Sequence, residues 1–286
     1  MKAAHEFKEK RKFTWISFII LVVFILAAAF CLFPLYAMIV ASFKPGSYLV
    51  RYGLNVDWDF SVMNFDNYIY LFTGDSNYFT WYKNSIIVTF MQVSMCLFFT
   101  SMVGYSLAMY RYKGRNGLFV MVMMVMMVPV EILLLGLYQL FVSMGLMNTY
   151  IGAILPFIVA PIAIFFFQQY LSGMPRDFME AARIDGCTEY GIFFRIFMPL
   201  MIPAYAAMLI LQSMNSWNNF LWPMMVLRTS SLQTLPIGLR SLITPYGNNY
   251  DMLIAGSVLM VLPILIVYLF FQRYFLEGMT AGGIKG

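Results

Sequence analysis

The chain has 286 residues, of which 62% are hydrophobic and only 11% charged. A soluble domain carries roughly 25% charged residues, so this composition cannot cover a water-facing surface and excludes a soluble globular protein. The net charge of +5 would fit a nucleic-acid partner in a soluble chain. In a membrane chain a basic excess gathers in cytoplasmic loops instead, so the partner expected is the lipid bilayer and no nucleic acid.

Residues 1–13 form a basic tail, followed by the apolar run of "TWISFIILVVFILAAAFCLFPLY". The run is too long for a signal peptide and no clean small-residue cleavage site follows it. It reads as a retained first transmembrane helix. Gaps between charged residues place the remaining spans, each needing ~20 apolar residues. Backbone polar groups must be satisfied internally in lipid, so the spans are helices. Six are predicted, near 14–38, 83–109, 117–142, 150–170, 196–218 and 253–274. The long uncharged run 132–175 exceeds one crossing, and "SMGLMNTYIG" (143–152) supplies its turn. "MVMMVMMV" reads as a lipid-facing or packing surface rather than a cofactor box. The expectation is an all-α polytopic membrane protein with one transmembrane domain, 14–286, and a C-terminal tail at 275–286. Segments 44–82 and 219–251 stand outside the bilayer and are short enough only for interfacial helices or contact loops.

Six spans put both termini on one side. With that side cytoplasmic, 13 Lys and Arg lie inside and 5 outside, which satisfies the positive-inside rule. Cys31, Cys96 and Cys187 show no metal or disulfide spacing. The single histidine, His5, lies in the tail. No cofactor, metal site or catalytic group is expected.

The charged stretch 171–195 interrupts this apolar chain on the cytoplasmic side. Pro175 suits a helix start and Gly186 a helix end. Phe178, Ala181, Ala182 and Asp185 recur at helical spacing, two small residues that let a partner surface approach. Thr188 is a candidate N-cap for a second short helix running toward Pro199. An amphipathic helix on lipid headgroups and a contact with another protein fit this pattern equally. Glu131 is the ionisable group inside a predicted span. Such groups are costly in hydrocarbon and face a bundle interior or water. It reads as a pathway residue or as a structural carboxyl beside the kink at Pro129. Asn215, Trp217, Asn218 and Asn219 cluster at the outer end of the fifth span. Planar amides and an aromatic suit sugar binding, and the same residues suit a structural turn. The tail "GMTAGGIKG" is too rich in glycine for a stable helix, and by itself it reads as a frayed terminus.

Glu180-Ala181-Ala182, Asp185-Gly186, Ile196 and Pro199 resemble the EAA signature of ABC-importer permeases. "WYKNSIIVT" (81–89), "NTYIGAILP" (148–156), "SWNNFLWP" (216–223), "TLPIGL" (234–239) and "FFQRYFLEGMTAGGIKG" (270–286) resemble, in the same order, the second permease subunit of maltose-type carbohydrate importers. The resemblance runs from about residue 81 to the C-terminus, with a weaker "SFKP" (42–45) before it. It implies a type I ABC importer permease fold and a non-catalytic transport subunit in the cell membrane. Implied partners are a homologous second permease, two ATP-binding subunits, an external solute-binding protein and a sugar. It implies that Glu180, Ala181, Ala182, Asp185 and Gly186 dock in an ATPase cleft. It also implies that Gly278, Ala281, Gly282, Lys285 and Gly286 reach between the ATPase subunits. No GxxxxGK[ST] string occurs, so ATP hydrolysis is expected on a separate subunit. A polyol or glycerol-phosphate importer is the alternative within the family. An ion-coupled secondary transporter would carry more ionisable residues in its spans, and an intramembrane enzyme would need a nucleophile–base pair or metal ligands.

Overall fold

The computed structural model describes residues 15–73, 76–244 and 247–281, with side chains described except at 244, 247, 248 and from 274 onward. Three continuous helices are long and apolar enough to cross a membrane: α1 (Trp15–Ser42), α4 (Tyr78–Met109) and α15 (Tyr250–Ala281), the last judged over Tyr250–Arg273. Between α1 and α4 lie the short α2 (Gly46–Tyr52) and α3 (Asp66–Thr73). Three bent pairs are also long and apolar enough to cross if each counts as one span. These are α5 (Arg115–Met126) with α6 (Val130–Ser143), α7 (Tyr150–Ile154, extended by a 3-10 turn to Phe157) with α8 (Pro161–Ser172), and a segment from Glu189 to Leu200 with Ile202–Trp217.

The six predicted locations therefore hold, but three of the spans are not straight. The predicted span 117–142 breaks at Met127–Pro129, and its halves meet at 99°. Pro129 cannot donate to the helix ladder and drives the residue before it toward extended backbone. Pro129 itself is extended (φ −62, ψ 129) and leads into α6. The predicted span 196–218 likewise divides at Met201, with a bend of 76°. Pro199 and Pro203 each remove an i→i−4 hydrogen bond, and the second would have bonded the carbonyl of the first. The α7–α8 pair bends by 44° ahead of Pro161. The predicted turn lies where expected, with Gly145 and Asn148 at positive φ and Thr149 Oγ1 accepting from Gly152 N at 3.0 Å.

Two apolar clusters sit at opposite ends of α4. At its C-terminal end Cys96, Leu97, Tyr105, Ala108 and Met109 pack with Ala163, Phe167 and Leu171 of α8 and with residues 179–208. Gly104 makes that approach possible: a Cβ there would lie 2.7 Å from Phe167 Cβ and 3.2 Å from Ile164 O. Small residues at such crossings let membrane helices pack closely. At its N-terminal end Tyr78 and Trp81 pack with Trp217, Leu235, Leu239, Met252 and Ala255. Here the connections are folded. α13 (Leu221–Val226), α14 (Leu235–Ser241) and a two-stranded hairpin, β1 (Ile243–Thr244) against β2 (Gly247–Asn248), cap this end. Asn84 Nδ2 donates to Ser231 O at 2.9 Å and Gln233 O at 2.8 Å, and Trp81 Nε1 donates to Ser230 O at 3.0 Å. Lys44, expected among the outer loop charges, is fully buried. It donates to the Asn55 side chain and to Asn55 O, and lies 5.4 Å from the Tyr48 ring centroid.

Candidate functional site

The charged stretch folds as α9 (Asp177–Ile184), a glycine turn, and α10 (Glu189–Ile192). Asp177 and Glu180 lie in the first turn of α9 and Arg183 in its last, the arrangement the helix dipole favours. The helix closes with paired backbone bonds, Gly186 N to Arg183 O at 3.1 Å and Cys187 N to Ala182 O at 2.9 Å. This is the Schellman closure, which requires a left-handed residue after the helix. Gly186 supplies it at φ +79. No atom lies within 4 Å of a Cβ built there, so backbone conformation and not space demands glycine. Thr188 caps α10 as predicted, its Oγ1 accepting from Gly191 N at 3.1 Å.

The two faces of this helix–turn–helix differ. Met179 and Ala182 point inward and are buried in the cluster at the end of α4. Phe178, Glu180, Ala181, Ile184, Asp185 and Gly186 point outward. Ala182 therefore cannot be part of a partner-facing surface as its spacing implied. Its small side chain lets α9 lie close against its own chain. Sequence reasoning also passed over Ile184 and Tyr190, which are 86% and 73% exposed. Beside Tyr190 a concavity of about 660 Å³ opens, lined by Asp185, Gly186, Phe194 and Arg195 among others. A large aliphatic and an aromatic side chain thus stand uncovered on one side of the turn.

A polar clamp ties this surface to α4. Arg183 Nε donates to Glu189 Oε1 at 2.7 Å and its Nη2 to Oε2 at 3.1 Å, a two-pronged pair joining α9 to α10. The Tyr110 hydroxyl donates to the same carboxylate, and the Arg183 guanidinium lies 5.9 Å from the Tyr110 ring centroid. The Arg183 hydrogen bond, and after it that of Tyr110, hold the Glu189 carboxyl below its usual range. Burial, and after it the bond to Glu189, push the Tyr110 phenol up. Arg176 Nη2 donates to Ala108 O at 3.2 Å, satisfying a carbonyl at the end of α4. Tyr110 and Glu189 are 79 residues apart, and no local pattern could have paired them.

Past α10 the chain forms one π-helical turn, Phe193–Phe197, then the short α11 (Met198–Leu200) and α12 (Ile202–Trp217). A π turn inside a helix recurs at functional sites and hinges. Phe193, Phe197 and Met201 are buried in the same cluster as Ala182, with Phe197 packed on Tyr105 at 5.0 Å between ring centroids. The surface is thus continuous with α12 through packed side chains.

The other candidate residues are not brought together. Glu131 lies in the first turn of α6, beyond the Pro129 break, and is exposed. It stands beside the kink expected at Pro129, and its side chain is not enclosed by other elements of this chain among the described residues. Trp217 is 3% exposed, its Nε1 donating to Met260 O at 3.0 Å and its ring set edge-on to Tyr82 at 5.7 Å. That side chain braces α12 against α15 and also lines an apolar cavity of about 310 Å³ with Phe90, Leu209 and Pro263. Asn218 Nδ2 returns to Met214 O at 2.9 Å, Asn219 is half-buried and Asn215 is exposed. Gly278 and Ala281 lie on the last turns of α15, where the backbone stays helical beyond the expected end at 274. Extending an existing helix is cheap compared with nucleating one. Gly282, Lys285 and Gly286 lie outside the described residues. Among the described residues no three His, Cys, Asp or Glu side chains gather as metal ligands would. The arrangement is suited to docking and to transmitting motion.

Residues 100–280 match the family described as binding-protein-dependent transport system inner membrane component. The chain is 56% identical over 263 residues to the arabinooligosaccharides transport system permease protein AraQ of Bacillus subtilis (strain 168), covering 92% of this chain and 94% of that protein. It is 54% identical to the AraQ protein of Halalkalibacterium halodurans, covering 95% and 97% respectively. A chain in the crystal structure of a bacterial ABC transporter involved in the import of the acidic polysaccharide alginate superposes with a TM-score of 0.78 at 21% identity. That superposition covers 93% of this chain and 98% of that one, a likeness of fold.

Proposed function

This chain belongs to the family of binding-protein-dependent transport system inner membrane components, and from that premise we propose that it is a permease subunit of an ATP-driven oligosaccharide importer. It pairs with a homologous second permease to enclose the pathway. Two ATP-binding subunits sit against the α9–α10 surface, and a solute-binding protein delivers the sugar to the opposite face. Both termini and α9–α10 lie in the cytoplasm, in keeping with the 13-to-5 division of basic residues. The chain works as one transmembrane domain, and its C-terminal tail reaches the ATPase pair. It carries no reaction step itself. The relatives named for arabinooligosaccharides point to arabinose-containing oligosaccharides as the cargo.

One observation carries the coupling role: α9–α10 is exposed on one side and fused to the core on the other. Ile184 and Tyr190 stand free while Met179 and Ala182 are locked against α4 and α8. Closure of the ATPase dimer would push on the outer face, and the packed cluster would carry the push to α4, α8 and α12. Alternating access then proceeds as rigid-body movement of helix bundles. Uptake of radiolabelled arabinooligosaccharide in a strain deleted for this gene tests the cargo; undiminished uptake overturns it. A membrane-impermeant maleimide tests orientation. Half-buried Cys187 should react only from the cytoplasmic side, and labelling of intact cells overturns the topology.

A further inference from the structure

We propose that the recess between the C-terminal end of α4, the start of α5 and Arg176 binds the headgroup phosphate of an anionic phospholipid. The recess encloses about 390 Å³ and is lined by Arg111, Arg115 and Arg176 together with Tyr112, Asn116 and Gly117. Three guanidiniums on one small cavity repel one another unless an anion joins them. Among the described residues the salt bridge present is Arg183–Glu189, so none of these arginines is neutralised by a carboxylate there. Asp177, next to Arg176 in the chain, forms no salt bridge with it. Arg115 and Arg176 each spend one N–H on a carbonyl at the end of α4, Tyr110 O at 3.3 Å and Ala108 O at 3.2 Å. Arg115 Nε also donates to Asn116 Oδ1 at 3.3 Å; the other donors of Arg115 and Arg176, and all of those of Arg111, stay available among the described residues. The backbone N–H groups of Asn116 and Gly117 lie in the first turn of α5 without a carbonyl partner, and they add two more donors to the same wall. The lining thus offers many donors and a triple positive charge. Arginine's planar fork suits phosphate oxygens.

The site's position selects a lipid over a soluble anion. Basic pockets beside membrane helices at the cytoplasmic boundary are where anionic headgroups bind. α5 rises directly from the recess, and none of its twelve residues is buried. Leu118 and Met121, in its first two turns, present large exposed apolar surface along which acyl chains can lie. The positive-inside rule accounts for the sign of these charges, but it does not account for three guanidiniums facing one cavity without a carboxylate. The lipid would brace the loop that carries Arg176 and, one residue on, the start of α9. This proposal does not depend on which sugar is carried.

The test uses the complete importer in nanodiscs of phosphatidylcholine with or without phosphatidylglycerol, with retained lipid counted by native mass spectrometry. Wild type should retain phosphatidylglycerol selectively. Arg111 holds no partner among the described residues, so Arg111→Gln should fold normally, and the loss of one near-surface cation should weaken retention about fivefold. Arg111→Lys should keep most of it. Equal phosphatidylglycerol retention by wild type and Arg111→Gln overturns the proposal. So does tight binding of inorganic phosphate without any lipid preference. Release of the ATPase subunits by Arg111→Gln, with lipid retention unchanged, would assign these charges to the protein partner instead and equally overturns it.

Discussion

Of the three bent pairs, the two sharpest both break at proline, and their surroundings are opposite. The break between α11 and α12 bends by 76° and lies inside a dense cluster, with Phe197, Met201 and Ala204 fully buried. The break between α5 and α6 bends by 99°, and of the residues in these two helices only Phe141 is buried. The same backbone chemistry therefore gives a rigid elbow in one place and an uncovered wall in the other. The difference is in what surrounds the bend. A bend packed on several helices can pass force from the cytoplasmic turn to α12. A bend with almost no partner in its own chain leaves a wall open to another surface; beyond the first two turns of α5, where the proposed lipid lies, we assign that wall to the second permease of the proposed importer.

The comparison is broken most directly by emptying each region. Phe197→Ala removes a fully buried ring that packs on Tyr105 at 5.0 Å, and should destabilise the subunit by about 3–5 kcal/mol. Met124→Ala, on the exposed face of α5, should change stability by less than about 0.5 kcal/mol. Thermal unfolding of the two variants in detergent measures both. Similar losses would mean that the two bends are not packed differently.

Gly186→Val comes next. A β-branched residue held at φ +79 costs roughly 1–2 kcal/mol in the left-handed region, which the turn can relieve by opening. The chain should still insert, because the position has open space around it and lies outside the spans. Sugar uptake should collapse while the ATPase subunits continue to hydrolyse ATP. Normal uptake at normal expression would remove the turn from the coupling path.

The uncovered wall gives a third test. Met124→Cys should react readily with a thiol reagent in the isolated subunit and be protected once the importer is assembled. Unchanged labelling in the assembly would show that this face meets lipid and not a second permease.

Much of this was legible in the sequence wherever the cause is local. Charge gaps located the crossings because the bilayer sets their length. Thr149, Thr188 and Gly186 were readable as caps or turns because capping chemistry acts within a few residues. The prolines were visible, but the angles at Pro129 and Pro199–Pro203 depend on what each half packs against. Ala181 and Ala182 are neighbours in sequence and look alike; only the position of α4 decides that the second turns inward. Trp217 stayed open between a sugar contact and a structural turn because its partner, Met260 O, lies 43 residues away. The clamp of Tyr110 on Glu189 was hidden for the same reason.

That clamp yields the smallest effect and sharpens the contrast between a surface fused to the core and one merely resting on it. Arg183 and Tyr110 hold the Glu189 carboxyl below its ordinary value of 4.5. The folded chain thus takes up that proton less readily than the unfolded chain does, so the clamp's contribution is complete above pH 4.5 and is lost as pH falls through the depressed value. The pair is half-exposed and screened by solvent, so its share of global stability is slight. Its expected readout is local: hydrogen exchange at the amides of 186–192 should quicken in wild type as the solution is taken below pH 4.5, after correction for intrinsic exchange. Glu189→Gln should exchange faster already at neutral pH and show no further acid step. If that variant keeps wild-type protection, the buried Met179 and Ala182 hold α9–α10 in place unaided, and the three polar side chains are incidental to the coupling surface.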